Sequence, residues 1–74
     1  MLKKYEWYYC DAVKGVEDGE EEAIEKLFLH LQWNRKDGFE ESLDGETLYF
    51  WEAEAEAKDD DGAYTPHIRE VRSC

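Results

Sequence analysis

The stretch from Thr47 to Ala57, TLYFWEAEAEA, decides the fold. It alternates with a period of two. Tyr49, Trp51, Ala53, Ala55 and Ala57 fall on one face of a strand, and Leu48, Phe50, Glu52, Glu54 and Glu56 fall on the other. The alanines are small enough for a helix to lie close above them. The predicted arrangement therefore packs the alanine face and leaves the row Glu52, Glu54 and Glu56 on the open face.

The neighbouring segments extend this strand into a sheet. Phe39 to Leu43 is a short strand, and Asp44-Gly45 between the two is a two-residue hairpin signal. Lys58 to Ala63, KDDDGA, is the next turn, and Tyr64 to Arg72 is the last strand. Pro66 has no ladder donor, so that strand is expected at an edge or after the proline. Leu2 to Val13, LKKYEWYYCDAV, reads as the first strand. Tyr5, Trp7, Tyr9 and Val13 share one of its faces. Leu2, Tyr8, Cys10 and Ala12 share the other, beside Lys4 and Glu6. Two partly apolar faces suit an inner strand. Gly15 is expected to begin a loop.

One helix is expected, from about Glu20 to Asn34. Asp18 is the expected N-cap, with Glu21 completing a capping box. Glu20, Glu21 and Glu22 sit at the positive end of the helix dipole, so their charge has a local role. Ile24, Leu27, Phe28 and Leu31 form the buried stripe, with Ala23 at its margin. Gly38 is the expected residue just past the C-terminus. Leu29 and Trp33 lie four apart on the opposite face: either they form a contact site, or Trp33 folds back over the helix end. The order is β-α-β-β-β, an α+β single domain with a mostly antiparallel sheet and one helix packed on one face.

Seventy-four residues make one small domain, and eleven aromatics supply much of its core. The net charge of −11 is unevenly placed. Residues 37–61 hold eleven acids against the single base Lys58, and residues 15–25 hold six acids and no base. Such a field repels nucleic acid and anionic membranes and attracts basic surfaces. Solubility, or adaptation to high salt, is the competing explanation. Two cysteines, Cys10 and Cys74, make no disulfide framework, although a bridge between them is open. No signal-peptide pattern and no long apolar run is present, and a reducing cytoplasm is the expected setting.

No catalytic motif is legible, so an enzyme is not expected. Asp59-Asp60-Asp61-Gly62 has a calcium-loop flavour, but aligning Gly62 to the loop glycine puts Ala57 and Ile68 at ligand positions. His30, His67, Cys10 and Cys74 lack zinc spacing. No metal and no cofactor is expected. Tyr5, Trp7 and Tyr9 offer a stacking face for nucleic acid, but the charge opposes direct binding.

The acid rows remain as a binding surface. Alternate residues on a strand are roughly 6.7 Å apart, against about 3.4 Å per nucleotide along one DNA strand. Glu52, Glu54 and Glu56 alone are too sparse to imitate a duplex. Glu40, Glu41, Asp44 and Glu46 from the hairpin and Asp59, Asp60 and Asp61 from the next turn raise the density. Phe50, beside the glutamates, is the expected apolar anchor. The competing reading is a solvated sheet face that protects an edge.

In size, α/β character and its acid segments FEESLDGE (39–46) and EAEAEAKDDD (52–61), the chain resembles small acidic inhibitors encoded by phages. These include anti-CRISPR proteins and DNA mimics of the uracil-DNA glycosylase inhibitor type. The resemblance implies an inhibitor in the host cytoplasm that occludes the nucleic-acid-binding surface of a host defence protein. The expected partner is a basic protein surface, with no direct nucleic acid and no membrane, and the chain is a monomer or a dimer. The alternative is an adaptor or subunit that docks through Leu29, Trp33 and the Tyr5/Trp7/Tyr9 face, its acid serving solubility.

Overall fold

The computed structural model describes residues 3–10, 12–52 and 65–71. Five strands and one helix follow in the order β1 (Tyr5–Tyr9), β2 (Ala12–Glu17), α1 (Glu20–Leu31), β3 (Phe39–Asp44), β4 (Thr47–Glu52) and β5 (His67–Glu70). All pairings are antiparallel, and the spatial order is β2-β1-β5-β4-β3. This is the expected α+β class with one helix on a sheet face, but the first strand is divided in two.

Tyr9 pairs with Ala12, and Cys10 turns the chain with a φ of 56°. The single strand read over Leu2 to Val13 is thus a hairpin. Gly15 lies inside β2 opposite Trp7 instead of opening a loop. A Cβ built on Gly15 would lie 2.5 Å from the Trp7 indole nitrogen. The glycine leaves room for the ring, whose Nε1–H donates to Glu17 at 3.2 Å.

The helix starts at Glu20, as expected, but its N-cap is Gly19 and not Asp18. The Asp18 carboxylate faces Lys4 at 3.5 Å instead. The C-terminus comes earlier than the pattern suggests, at left-handed Gln32, and Gly38 serves the approach to β3. Trp33 N–H donates to the Phe28 carbonyl and Gln32 N–H to that of Leu29. This is a Schellman closure, and its usual apolar contact is the Trp33 ring edge-on to Phe28 at 5.8 Å. Trp33 therefore folds back over the helix end.

The core consists of Ala23, Ile24, Leu27 and Phe28 from α1, Phe50 from β4 and Ile68 from β5. The helix lies over β1, β2 and β5 and reaches the β3–β4 hairpin through Phe28. That ring meets Phe39 at 4.8 Å and Phe50 at 5.1 Å. The expected faces of the long strand are reversed: the helix covers the Leu48–Phe50 face, and Tyr49 and Trp51 lie on the other. Leu48 and Phe50 supply the volume a core needs, whereas Tyr and Trp keep their polar ends near water. Residues 53–57, with the three alanines, lie outside the described residues.

One further expectation shifts, and of the two alternatives for the last strand the second holds. The hairpin loop is Gly45-Glu46, closed by the pair Asp44–Thr47, one residue beyond the Asp44-Gly45 reading. Gly45 has a φ of 63°, which suits glycine at the first loop position. The last strand is not an edge. It begins after Pro66 and lies between β1 and β4.

Phe50 is fully buried, so Phe50→Ala should cost about 3–5 kcal/mol. A domain of this length has a total of about 4–11 kcal/mol, so the denaturation midpoint should fall by a large fraction. Gly15→Ala must displace the Trp7 ring and should cost about 1–3 kcal/mol. Unfolding followed by tryptophan fluorescence measures both; an unchanged Gly15→Ala midpoint would contradict the close Trp7 packing.

Candidate functional site

Beside the six acids between Glu17 and Glu25, five acids of the described residues stand on the β3–β4 hairpin. Glu40, Glu41, Asp44, Glu46 and Glu52 are all exposed there. β3 forms one edge of the sheet, and every residue from Glu40 to Asp44 is exposed. Its register with β4 sorts these groups by face. Glu40, Ser42 and Asp44 pair with Trp51, Tyr49 and Thr47 on the helix-free face. Glu41 and Glu52 stand on the helix side, paired with Phe50 and Phe39, and Glu46 sits in the turn. The acid is thus divided between two faces of one hairpin and does not form a single row on β4.

Part of this acid is paired with a base from outside the hairpin. Arg35 reaches Glu21 on the helix at 3.0 Å and Glu41 on β3 at 3.5 Å. The hydrogen bond to Glu21 is the first cause that holds the guanidinium pKa above its ordinary value. Arg35 thereby bridges helix and hairpin, although such exposed pairs contribute only about 0–1 kcal/mol each. The separation in sequence had hidden this base from the acid segment.

Phe50, expected as the apolar anchor of the surface, lies in the core and is inaccessible to a partner. Its place beside the glutamates in sequence is real, but its ring points under the helix. Glu54, Glu56, Asp59, Asp60 and Asp61 lie outside the described residues, as do Lys58 and Cys74. Cys10 is free and exposed.

The aromatic face expected at Tyr5, Trp7 and Tyr9 is taken by the helix. Tyr5 and Trp7 pack on the core, and His30 meets Trp7 at 5.5 Å and Tyr9 at 5.9 Å. A different ring row crosses the helix-free face. Tyr8 and His67 stack at 4.5 Å and 5°, His67 meets Tyr49 at 5.5 Å, and Tyr49 stacks on Trp51 at 5.5 Å. Arg69 lies over Tyr8 at 5.5 Å and donates to Thr47 Oγ1 at 3.4 Å. The Tyr8 hydroxyl donates to Glu6 at 3.1 Å. Burial first, then this bond and the carboxylate charge, raise the Tyr8 pKa, so the phenol keeps its proton. The row was missed because it needs β5 between β1 and β4; the one local signal was Tyr49 and Trp51 two apart.

Leu29 is 73% exposed, whereas Trp33 is half-buried. They share a groove of about 820 Å³ with Ile24 and Phe28, and with Glu21, Lys26 and Arg35. Among the described residues no three His, Cys, Asp or Glu side chains are grouped to hold a metal ion. Among the described residues no helix is long and apolar enough to cross a membrane.

No protein-family model matches the chain, and comparisons with curated proteins and with solved structures found no match either.

Proposed function

We propose that this chain is an acidic binding protein that occupies the nucleic-acid-binding surface of a basic partner and inhibits it by occlusion. The observation that supports this reading is the exposed hairpin edge. Glu40, Asp44 and Glu46 stand on one short, ordered element that is tied to the core through Phe28. A basic groove built for phosphate meets it mainly with Lys and Arg, and carboxylates on a rigid hairpin meet the same side chains. The net charge steers the encounter. An anti-CRISPR-like inhibitor of a defence nuclease complex is the particular form of this reading that the acid segments suggest. Catalysis has no part in it.

A second reading is favoured by one observation of its own. The groove holding exposed Leu29 beside Trp33 has an apolar part to its lining, formed with Ile24 and Phe28. An adaptor that docks there would bind independently of the acidic hairpin.

Salt separates the two, because the screening length falls from about 10 Å at 0.1 M to about 3 Å at 1 M salt. The test is capture of bacterial proteins by the tagged chain at both salt levels, with and without excess duplex DNA. The expected result is capture of nucleic-acid-binding proteins that high salt and DNA both release. Lysine at Glu40, Asp44 and Glu46 together should reduce this capture at least tenfold, a loss of about 1.4 kcal/mol or more. Capture that survives the triple reversal, salt and DNA alike, and is lost in Leu29→Ala, would replace the first reading with the second.

A further inference from the structure

The two edges of the sheet differ. At β2 the register with β1 skips Lys14, so the edge carries a bulge and an exposed lysine. Bulges and lysines are common devices that keep an edge from pairing with another chain. β3 has neither. Its six residues run in unbroken register with β4, contain no Gly, Pro or Lys, and are exposed from Glu40 onward. Among the described residues no strand pairs with its outer side.

The ladder shows which main-chain groups that edge offers. Phe50 donates its N–H to the Pro66 carbonyl, toward β5. Main-chain groups alternate sides along a strand. Tyr49 and Trp51 therefore direct theirs toward β3, and their partners Ser42 and Glu40 direct theirs toward β4. It follows that Phe39, Glu41 and Leu43 turn their N–H and C=O groups outward. Their side chains stand on the helix side, where Leu43 is 69% exposed. Glu40, Ser42 and Asp44 stand on the other face.

We propose that the outer edge of β3 takes up an extended, base-bearing segment of a partner protein as a sixth strand. The proposal rests on the acidic-binding reading above and adds to it the way the partner is held. An added strand would place alternate residues beside Glu40, Ser42 and Asp44, where Lys or Arg complements the carboxylates. The residues between them would lie beside Phe39, Glu41 and Leu43, where an apolar side chain covers Leu43. Main-chain bonds supply affinity and alternate side chains supply specificity. A second copy of this chain is a poor occupant. Two-fold pairing centred on Glu41 opposes that residue to its own copy, and pairing centred on Ser42 opposes Glu40 to Asp44. Like charges directly opposite each other destabilise a strand pair.

The test uses the full chain and a synthetic peptide of about eight residues, a common strand length, with alternating lysine and valine. Binding is followed by amide NMR at low salt. The expected result is slowed exchange at the Glu41 and Leu43 amides, with smaller effects at Ser42. Leu43→Pro deletes one outward donor and leaves every charge in place. It should weaken the peptide about tenfold, the loss of one hydrogen bond of roughly 1.4 kcal/mol. Leu43→Thr, which loses the same leucine contact as the proline variant but keeps the N–H, should bind the peptide several-fold more tightly than Leu43→Pro. Should Leu43→Pro not fold, the exchange pattern of the unmodified chain decides alone. Equal binding by Leu43→Pro, or no slowing at Glu41 and Leu43, overturns strand addition. It leaves the acidic reading standing, since that reading depends on the charge reversals. A dimer that Leu43→Pro dissolves also overturns the proposal, assigning the edge to a second copy.

Discussion

The insertion of four residues, His67 to Glu70, between two hairpins is the constraint on which the rest of the sheet depends. β1–β2 and β3–β4 are each local, and each needs only a short turn to form. Nothing in the described sheet joins them except β5, which pairs with β1 on one side and β4 on the other. Closing the β1–β5 contact spans most of the chain. The entropic cost grows only slowly with loop length, but it must be met by a very short strand. The strand meets it by burying both faces. Ile68 enters the core under the helix, and His67 lies between the rings of Tyr8 and Tyr49, its Nδ1–H donating to the Thr65 carbonyl. The ladder also extends past the strand ends, from Phe50 to Pro66 and from Val71 to Lys4.

Phe28 has a comparable role for the acidic hairpin. The helix body lies over the other half of the sheet, and this one ring touches Phe39, Phe50 and Trp33. Edge-to-face aromatic pairs contribute about 0.5–1.5 kcal/mol beyond their buried area. Arg35 adds a bridge on the surface, from Glu21 to Glu41. The consequence for binding is rigidity. Carboxylates on a loose loop would lose backbone entropy on meeting a partner; on a hairpin anchored by a buried ring the backbone is already fixed.

The charge pattern and the edge geometry belong together. A long exposed edge strand is a hazard for a soluble protein. In β3 glutamate and aspartate oppose the pairing of copies of the chain, while the main-chain groups of Phe39, Glu41 and Leu43 are directed outward from the described sheet. Acid can therefore serve solubility and partner choice at once. The opposite edge uses a bulge and Lys14 and is closed by geometry.

Much of this was legible in the residues. The helix and its buried stripe Ile24, Leu27 and Phe28, the β3–β4 hairpin and the acid on it follow from periodicity and turn chemistry, which act over a few residues. The misread features have a common origin in contacts between distant segments. The hairpin at Cys10 has no glycine to announce it and exists because β2 pairs with β1. Asp18 left its capping position for Lys4. Arg35 compensates Glu41 across a turn. The alternation of Leu48 to Glu52 determined that two faces exist and which residues share each. It was silent on which face the helix covers, because period two is the same from either side. That choice fell to volume: Phe28, Ile68 and Phe50 fill one layer only if Phe50 points toward the helix. The same choice placed Tyr49 beside His67 and put Phe50 beyond the reach of any partner.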